Sequence, residues 1–167
     1  TGDHIYRMNY AQMLAAHKQS GAACTIAVID VTLEEASRFG ILTTDETGRI
    51  TRFAEKPKKP ESTNASMGIY IFKRKKLVDY LTADAKDPKS SNDFGKNIIP
   101  TMLAAGEKMM AFAFEGYWKD VGTIDSLWEA NMDLLGERPA LTLAKNGWRV
   151  LSRHENTTPQ LVGPDGL

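Results

Sequence analysis

Apolar residues along the chain alternate between strand-like runs and helical spacings. Residues 23–31 form a continuous apolar run, which is typical of a strand buried on both faces of a sheet. Residues 40–44 and 49–53 flank the turn sequence DETG and predict a hairpin. The other predicted strands are residues 67–72 and 109–114, and the predicted helices are residues 9–20, 74–82, 94–105 and 124–135. Strands that alternate with helices predict an α/β domain with a mixed sheet and helices on both faces.

The pattern changes after residue 135. Residues 136–139 contain Gly and Pro and are interpreted as a linker, and residues 141–167 are rich in turn residues without a helical period. We therefore predict one domain over residues 1–135, followed by a linker and the truncated start of a second domain over residues 136–167. The opening TGDHIYRMNY lacks an initiator Met and the features of a signal peptide, so the chain is interpreted as an internal fragment.

The 167 residues include 21 Lys and Arg and 21 Asp and Glu, which gives a net charge of zero. This balance removes the electrostatic argument for a nucleic acid or an anionic membrane as the main partner. No apolar run approaches the roughly 20 residues that span a bilayer. The single cysteine, Cys24, lies in an apolar run and predicts a buried reduced thiol, with no disulfide or Cys/His metal cluster. We expect a cytoplasmic location.

Asp3, in TGDHIY, precedes the first predicted helix. A carboxylate at this position either caps the helix or lies at the carboxyl end of a strand, where open α/β sheets bind ligands. The residue types alone leave a structural cap and a metal-binding or catalytic role both open.

Glu55 and Lys56, in FAEKP, end a predicted strand that Pro57 stops. Strand alternation would place their opposite charges on opposite faces of the sheet. They are either a solvated strand end or a sugar-phosphate site, in which Lys meets the phosphate and Glu accepts hydrogen bonds from sugar hydroxyls.

The segment GYWKDVGT places Asp120 beside Tyr117 and Trp118 at a turn before a helix, with Thr123 as the expected N-cap. Aromatic residues this dense beside a carboxylate are typical of carbohydrate-handling surfaces, but core packing of the two rings explains them equally well. The three motifs are weak separately and more specific together.

Six segments in this order, TGDHIY, SRFGI, FAEKP, ASMGIYIF, DFGKNIIP and GYWKDVGTIDSLWEANMDLL, resemble the glucose-1-phosphate adenylyltransferases, or ADP-glucose pyrophosphorylases. The resemblance runs from residue 1 to about residue 135 of the sequence without a broken motif. The EKP element is shared with the wider sugar-1-phosphate nucleotidyltransferases, whereas DFGKNIIP and the Trp-rich segment are more specific.

The resemblance implies a nucleotide-diphospho-sugar transferase domain with a Rossmann-like mixed sheet, followed by a left-handed β-helix. It also implies roles for individual residues. Contacts to glucose 1-phosphate are expected from Gly40, Glu55, Lys56 and Ser66. Ligands of a catalytic Mg²⁺ are expected from Asp3 and Asp120, which with Lys56 form the expected catalytic set.

By resemblance, the whole enzyme makes ADP-glucose and pyrophosphate from ATP and α-D-glucose 1-phosphate, for glycogen or starch synthesis. Such enzymes are allosteric homo-oligomers, with a tetramer expected, and they carry an N-terminal glycine-rich loop that binds the ATP phosphates. No such loop occurs in this chain, so the isolated fragment is expected to be inactive. The alternatives are a related nucleotidyltransferase using UTP, dTTP or GTP, a noncatalytic regulatory subunit, and a plain sugar-phosphate-binding module.

Overall fold

The computed structural model describes residues 2–135, 137 and 139–142. Five strands form a mixed sheet in the order β4-β3-β5-β2-β6, in which β2 and β6 are parallel and the other neighbours are antiparallel. A separate two-stranded antiparallel sheet pairs β1 with β7. The strands are β1 His4–Tyr6, β2 Cys24–Asp30, β3 Gly40–Thr44, β4 Ile50–Glu55, β5 Asn64–Phe72, β6 Met109–Ala113 and β7 Trp118–Asp120. The predicted mixed α/β sheet is confirmed.

Five α-helices and one π-helical turn accompany the strands in the described part of the chain. The helices are α1 Tyr10–Ser20, α2 Leu33–Ala36, α3 Arg74–Asp84, α4 Ile99–Ala104 and α5 Ile124–Met132, and the π-helical turn is Phe94–Ile98. No helix in this described part is both long and apolar enough to cross a bilayer.

Strand β2 lies at the centre of the core and is buried on both faces. On one face Ile26 packs in a cluster with Ile99 of α4, and on the other face Ala27 packs with Met13 of α1 and Met67 of β5. Helices therefore cover both faces of the sheet, as predicted. Cys24 is also buried, and burial raises the pKa of its thiol, so the thiol stays protonated at neutral pH.

Local sequence signals explain the ends of the first helix. The Asn9 side chain accepts a hydrogen bond from the backbone N–H of Ala11, and Gly21 ends α1 with a left-handed φ of 64°. The predicted helix over residues 94–105 forms in two parts, because a π-helical turn precedes α4. The three-residue strands β1 and β7 and the one-turn helix α2 were not predicted, since such short segments carry no periodicity.

The chain divides into two compact units, Thr1–Gly122 and Thr123–Leu167. The first unit contains all seven strands of the described residues, and the second contains α5. In α5 the predicted cap is confirmed, because the Thr123 side chain accepts a hydrogen bond from the N–H of Ser126. The predicted linker and second domain fall largely on residues 136, 138 and 143–167, which lie outside the described residues, so that boundary stays a prediction.

Candidate functional site

A cavity of about 620 Å³ in the first unit is lined by residues from several separate sequence motifs. It lies where β3 begins, β4 ends and β7 ends, beside the bulged middle of β5. All six residues singled out from the sequence line it: Asp3, Gly40, Glu55, Lys56, Ser66 and Asp120. Their roles toward a substrate or a metal remain predictions, but their proximity is a property of the fold.

The Glu55 carboxylate occupies a slot between two glycines. Gly40 pairs with Glu55 across β3 and β4, and a Cβ at Gly40 would lie 2.9 Å from Glu55 Oε2 and 2.6 Å from Cζ of Phe53. A Cβ at Gly95, in the π-helical turn, would overlap the same carboxylate, at 2.9 Å from its Cδ. The family resemblance implies a contact of Gly40 with glucose 1-phosphate, and the structure adds that Gly40 and Gly95 make room for Glu55 itself.

Burial raises the pKa of Glu55 above its usual value, and the nearby Asp93 carboxylate raises it further. The ammonium groups of Lys56 and Lys96 oppose both effects. Asp93 also accepts a hydrogen bond from the N–H of Lys96 at 2.8 Å, which caps the π-helical turn. The cavity therefore holds a pair of neighbouring carboxylates that a ligand with hydroxyl donors would stabilise.

Lys56 follows β4 in a left-handed conformation with φ of 46°, which is unusual for a residue with a side chain. Its backbone N–H donates to the carbonyl of Phe39 at 3.1 Å, which holds this turn against the start of β3. Strand alternation predicts opposite faces of the sheet for Glu55 and Lys56. Strand β4 ends at Glu55, the left-handed turn at Lys56 follows it, and both residues line the same cavity.

Ser66 is buried on β5, where the strand bulges. Its Oγ accepts a hydrogen bond from the N–H of Gly68 at 3.2 Å, and Gly68 has φ of 67°. The register with β2 shifts between Ile26 and Val28 at this point. Burial raises the pKa of the neighbouring Tyr70, and a hydrogen bond with Ser66 opposes that rise. The bulge therefore places a serine hydroxyl and a tyrosine hydroxyl on the cavity wall.

Asp3 and Asp120 approach each other because β1 and β7 pair. His4 pairs directly with Asp120, and the N–H of Val121 donates to the carbonyl of Asp3 at 2.9 Å. One ligand atom from each of Asp3, His4 and Asp120 lies within 4.8 Å of the others. The alternative role of Asp3 as a helix cap is not observed, because Asn9 caps α1.

This group fits the ligand chemistry of Mg²⁺. Two carboxylates so close repel each other unless a cation lies between them, and Mg²⁺ commonly takes one or two carboxylates and completes its shell with phosphate oxygens and water. The N–H of Gly122 donates to Asp120 Oδ1 at 3.1 Å, and His4 Nε2 lies 3.9 Å from the same oxygen. The hydrogen bond from Gly122 therefore holds one oxygen of the Asp120 carboxylate in place.

Trp118, the aromatic residue beside Asp120 in the sequence motif, lies between two other rings. It contacts His4 with a centroid distance of 5.1 Å and Phe39 with 5.2 Å, both edge to face. Its Nε1 is buried and has no hydrogen-bond partner among the described residues. Trp118 therefore packs as a core ring while keeping one unsatisfied donor beside the site.

Sequence reasoning missed several residues of the cavity. Asp93 and Gly95 lie within DFGKNIIP, which contributed only to the family resemblance, although an Asp before a helix and an internal Gly were visible signals. His4 adjoins Asp3, and Arg38 is the first residue of the RFGI segment, of which only Gly40 was assigned a role. Nothing local in the sequence distinguished them, because their approach to the cavity depends on strand pairing.

Known proteins provide an independent comparison. The family described as Nucleotidyl transferase matches residues 1–137 of the chain. A protein of Clostridium perfringens named glucose-1-phosphate adenylyltransferase is 57% identical over 165 residues, which is 99% of this chain and 42% of that protein. Proteins of the same name from Desulforamulus reducens and Halalkalibacterium halodurans are 56% and 57% identical, over 98% and 97% of this chain and 41% and 42% of their own lengths.

The predicted resemblance to glucose-1-phosphate adenylyltransferases is thus confirmed, and the chain spans about two fifths of the length of these relatives. The matched family also covers every strand and the whole cavity of the described structure. The chain therefore belongs to the nucleotidyl transferase family.

Proposed function

We propose that the chain supplies the sugar-phosphate half of an enzyme that makes ADP-glucose and pyrophosphate from ATP and α-D-glucose 1-phosphate. The observation that carries the proposal is that six residues from separate motifs line one cavity. The names of the relatives support the choice of ATP and glucose 1-phosphate over other nucleotides and sugars.

The proposed reaction is a displacement at phosphorus. A phosphate oxygen of glucose 1-phosphate forms a bond to the α-phosphorus of ATP, and the bond to the leaving pyrophosphate breaks in line with it. Both reactants are anions, so the site must supply positive charge and alignment more than covalent chemistry. Lys56 is a cation of the cavity wall, and its proposed role is to neutralise the attacking phosphate.

Glu55 and Ser66 would bind the sugar. The Glu55 carboxylate is half-buried in its glycine slot, so its position is defined before a ligand arrives. Sugar hydroxyls would donate to this carboxylate and relieve its repulsion with Asp93. The buried Ser66 hydroxyl of β5 would supply a further hydrogen bond.

Asp3 and Asp120 would hold Mg²⁺, as their carboxylates fit that ion. When bound, Mg²⁺ would supply positive charge to the reacting phosphates and help to align them. The fold contributes to this metal site through the pairing of β1 with β7, which keeps the two carboxylates close to each other.

Further parts of the proposal rest on the family resemblance. We propose that the ATP phosphates bind a glycine-rich loop that is not among residues 1–167, and that a left-handed β-helix follows the linker. We also propose an allosterically regulated, cytoplasmic homotetramer.

A chimera tests the proposed activity. In this chimera the chain replaces the matching segment of the Clostridium perfringens relative, with which it shares 57% identity over 165 residues. We expect pyrophosphate release with ATP and glucose 1-phosphate, and much slower release with UTP, dTTP or GTP. An Asp120→Asn chimera is the control that links turnover to this cavity. A preference for another nucleotide would contradict the substrate assignment, and a chimera inactive with all four would favour a noncatalytic subunit.

A further inference from the structure

The charged side chains of the cavity wall are unequal in number. Four carboxylates among the described residues line it, against two permanent cations, and these are Asp3, Glu55, Asp93 and Asp120 against Arg38 and Lys56. A divalent cation held by Asp3 and Asp120 would balance that pair. A phosphate dianion would still meet Glu55 and Asp93, and the charges of Lys56 and the nearby Lys96 together do not offset two carboxylates and a dianion. The remaining cation of the wall is Arg38.

Arg38 lies just before β3 begins, and Lys56 lies just after the neighbouring strand β4 ends. Its backbone N–H donates to the carbonyl of Glu35 at 2.9 Å, which fixes the approach from α2 to β3. The following residue, Phe39, accepts the backbone N–H of Lys56 at 3.1 Å. The two cationic residues are therefore connected through one backbone hydrogen bond, on neighbouring strand ends.

The guanidinium of Arg38 contacts an aromatic ring, and no carboxylate of the described residues pairs with its charge. Its Cζ lies 5.6 Å from the centroid of the Phe39 ring, a cation–π contact. No carboxylate of the described residues forms an ion pair with it, in contrast to Arg52, which pairs with Glu61. Stacking on a ring face leaves the N–H donors at the guanidinium edge free for an anion.

We propose that Arg38 binds the phosphate group of the sugar phosphate together with Lys56, and so makes the cavity select phosphorylated over free sugars. This inference rests on the proposed function. The planar guanidinium presents two parallel N–H groups that match two phosphate oxygens, while Lys56 acts as a point charge. Arg38 is then a substrate-binding residue in addition to the predicted glucose 1-phosphate contacts.

The test compares Arg38→Ala, Arg38→Lys and Arg52→Ala in the chimera. Arg52→Ala is the matched control, because it removes an exposed arginine of β4 that does not line the cavity. We measure KM for glucose 1-phosphate and for ATP, kcat, and calorimetric affinity for glucose 1-phosphate without turnover. For Arg38→Ala we expect a loss of about 10-fold or more in affinity for glucose 1-phosphate. This is the low end of the range for a charge-assisted hydrogen bond, and we use it because the Arg38 side chain is exposed to solvent.

KM for ATP and kcat should change less than about twofold, since uniform substrate binding is what is lost. Arg38→Lys should recover only part of the affinity for glucose 1-phosphate, because lysine restores the positive charge but not the two parallel N–H donors of the guanidinium. Affinity within twofold of wild type in Arg38→Ala, or an equal loss in Arg52→Ala, would overturn the inference. A chimera that binds glucose 1-phosphate but makes no ADP-glucose would contradict the proposed reaction, while its calorimetry would still decide the role of Arg38.

Discussion

Gly95→Ala tests whether the position of the Glu55 carboxylate sets the affinity of the cavity for its sugar ligand. A Cβ at Gly95 would lie 2.9 Å from Glu55 Cδ and closer still to Oε2, so the carboxylate must move. It cannot move freely toward β3, because the backbone of Gly40 lies against it there, with the Phe53 ring of β4 beside Gly40. A displacement of about 1 Å is enough to break a hydrogen bond of ordinary length.

The expected effect on function is large and the effect on stability is small. Losing hydrogen bonds to a charged group costs roughly 1.5–3 kcal/mol, which raises KM for glucose 1-phosphate about 10- to 150-fold. The colliding atoms are the end of a flexible side chain, and Ala favours a helical turn over Gly. We therefore expect Tm to change by less than about 4 °C.

The assay is pyrophosphate release by the chimera at saturating ATP, with glucose 1-phosphate varied. A double-mutant cycle with Glu55→Ala supplies the control. If Gly95→Ala acts through the carboxylate, it should raise KM no further once Glu55 is removed. A wild-type KM in Gly95→Ala, or a full additional increase in the Glu55→Ala background, would refute the reasoning.

Three further outcomes follow from the site and the core. Lys56→Ala should raise KM for glucose 1-phosphate about 10- to 150-fold, measured in the chimera, and a larger rise for ATP would contradict the assignment. Asp3→Asn and Asp120→Asn should each lower kcat far more than they raise KM, and near-normal turnover at saturating Mg²⁺ would exclude that residue as a ligand. His17 lies buried 2.8 Å from the Thr25 hydroxyl, and burial, aided by the charge of Lys73, lowers its pKa below 6.5. The free energy of unfolding should then fall as pH drops below 6.5, by up to about 1.4 kcal/mol per pH unit, and denaturant titrations of His17→Gln should show a smaller decline.

The sequence was most informative where burial imposes a local pattern. Strand β2 was predicted because its residues form a continuous apolar run, and α1 from helical spacing on one face and from Gly21 at its end. The hairpin of β3 and β4 followed from a turn with Gly48, whose φ is 79°. In each case the physical cause acts within a few residues of the chain, so the pattern is visible without the fold.

The parts that were missed depend on contacts between distant residues. Strands β1 and β7 each have three residues, and they form by pairing with each other across a long stretch of the chain. The left-handed conformation of Lys56 was also missed, because a residue with a side chain rarely adopts it. The proximity of Asp93 to Glu55 arises from the packing of the π-helical turn near the end of β4, and the Asp and Gly of that segment do not by themselves indicate this partner.

The β1–β7 pairing makes the carboxylate pair a property of the folded state alone. Asp3 and Asp120 come from opposite ends of the first unit, and in an unfolded chain they would be far apart. A cation that binds both would therefore bind the native state and ignore the unfolded one. By mass action, such an ion at 100 times its Kd would add about 2.7 kcal/mol to the free energy of unfolding. The concentration of that ion would then set the equilibrium stability of the first unit as well as the charge available to the substrate phosphates.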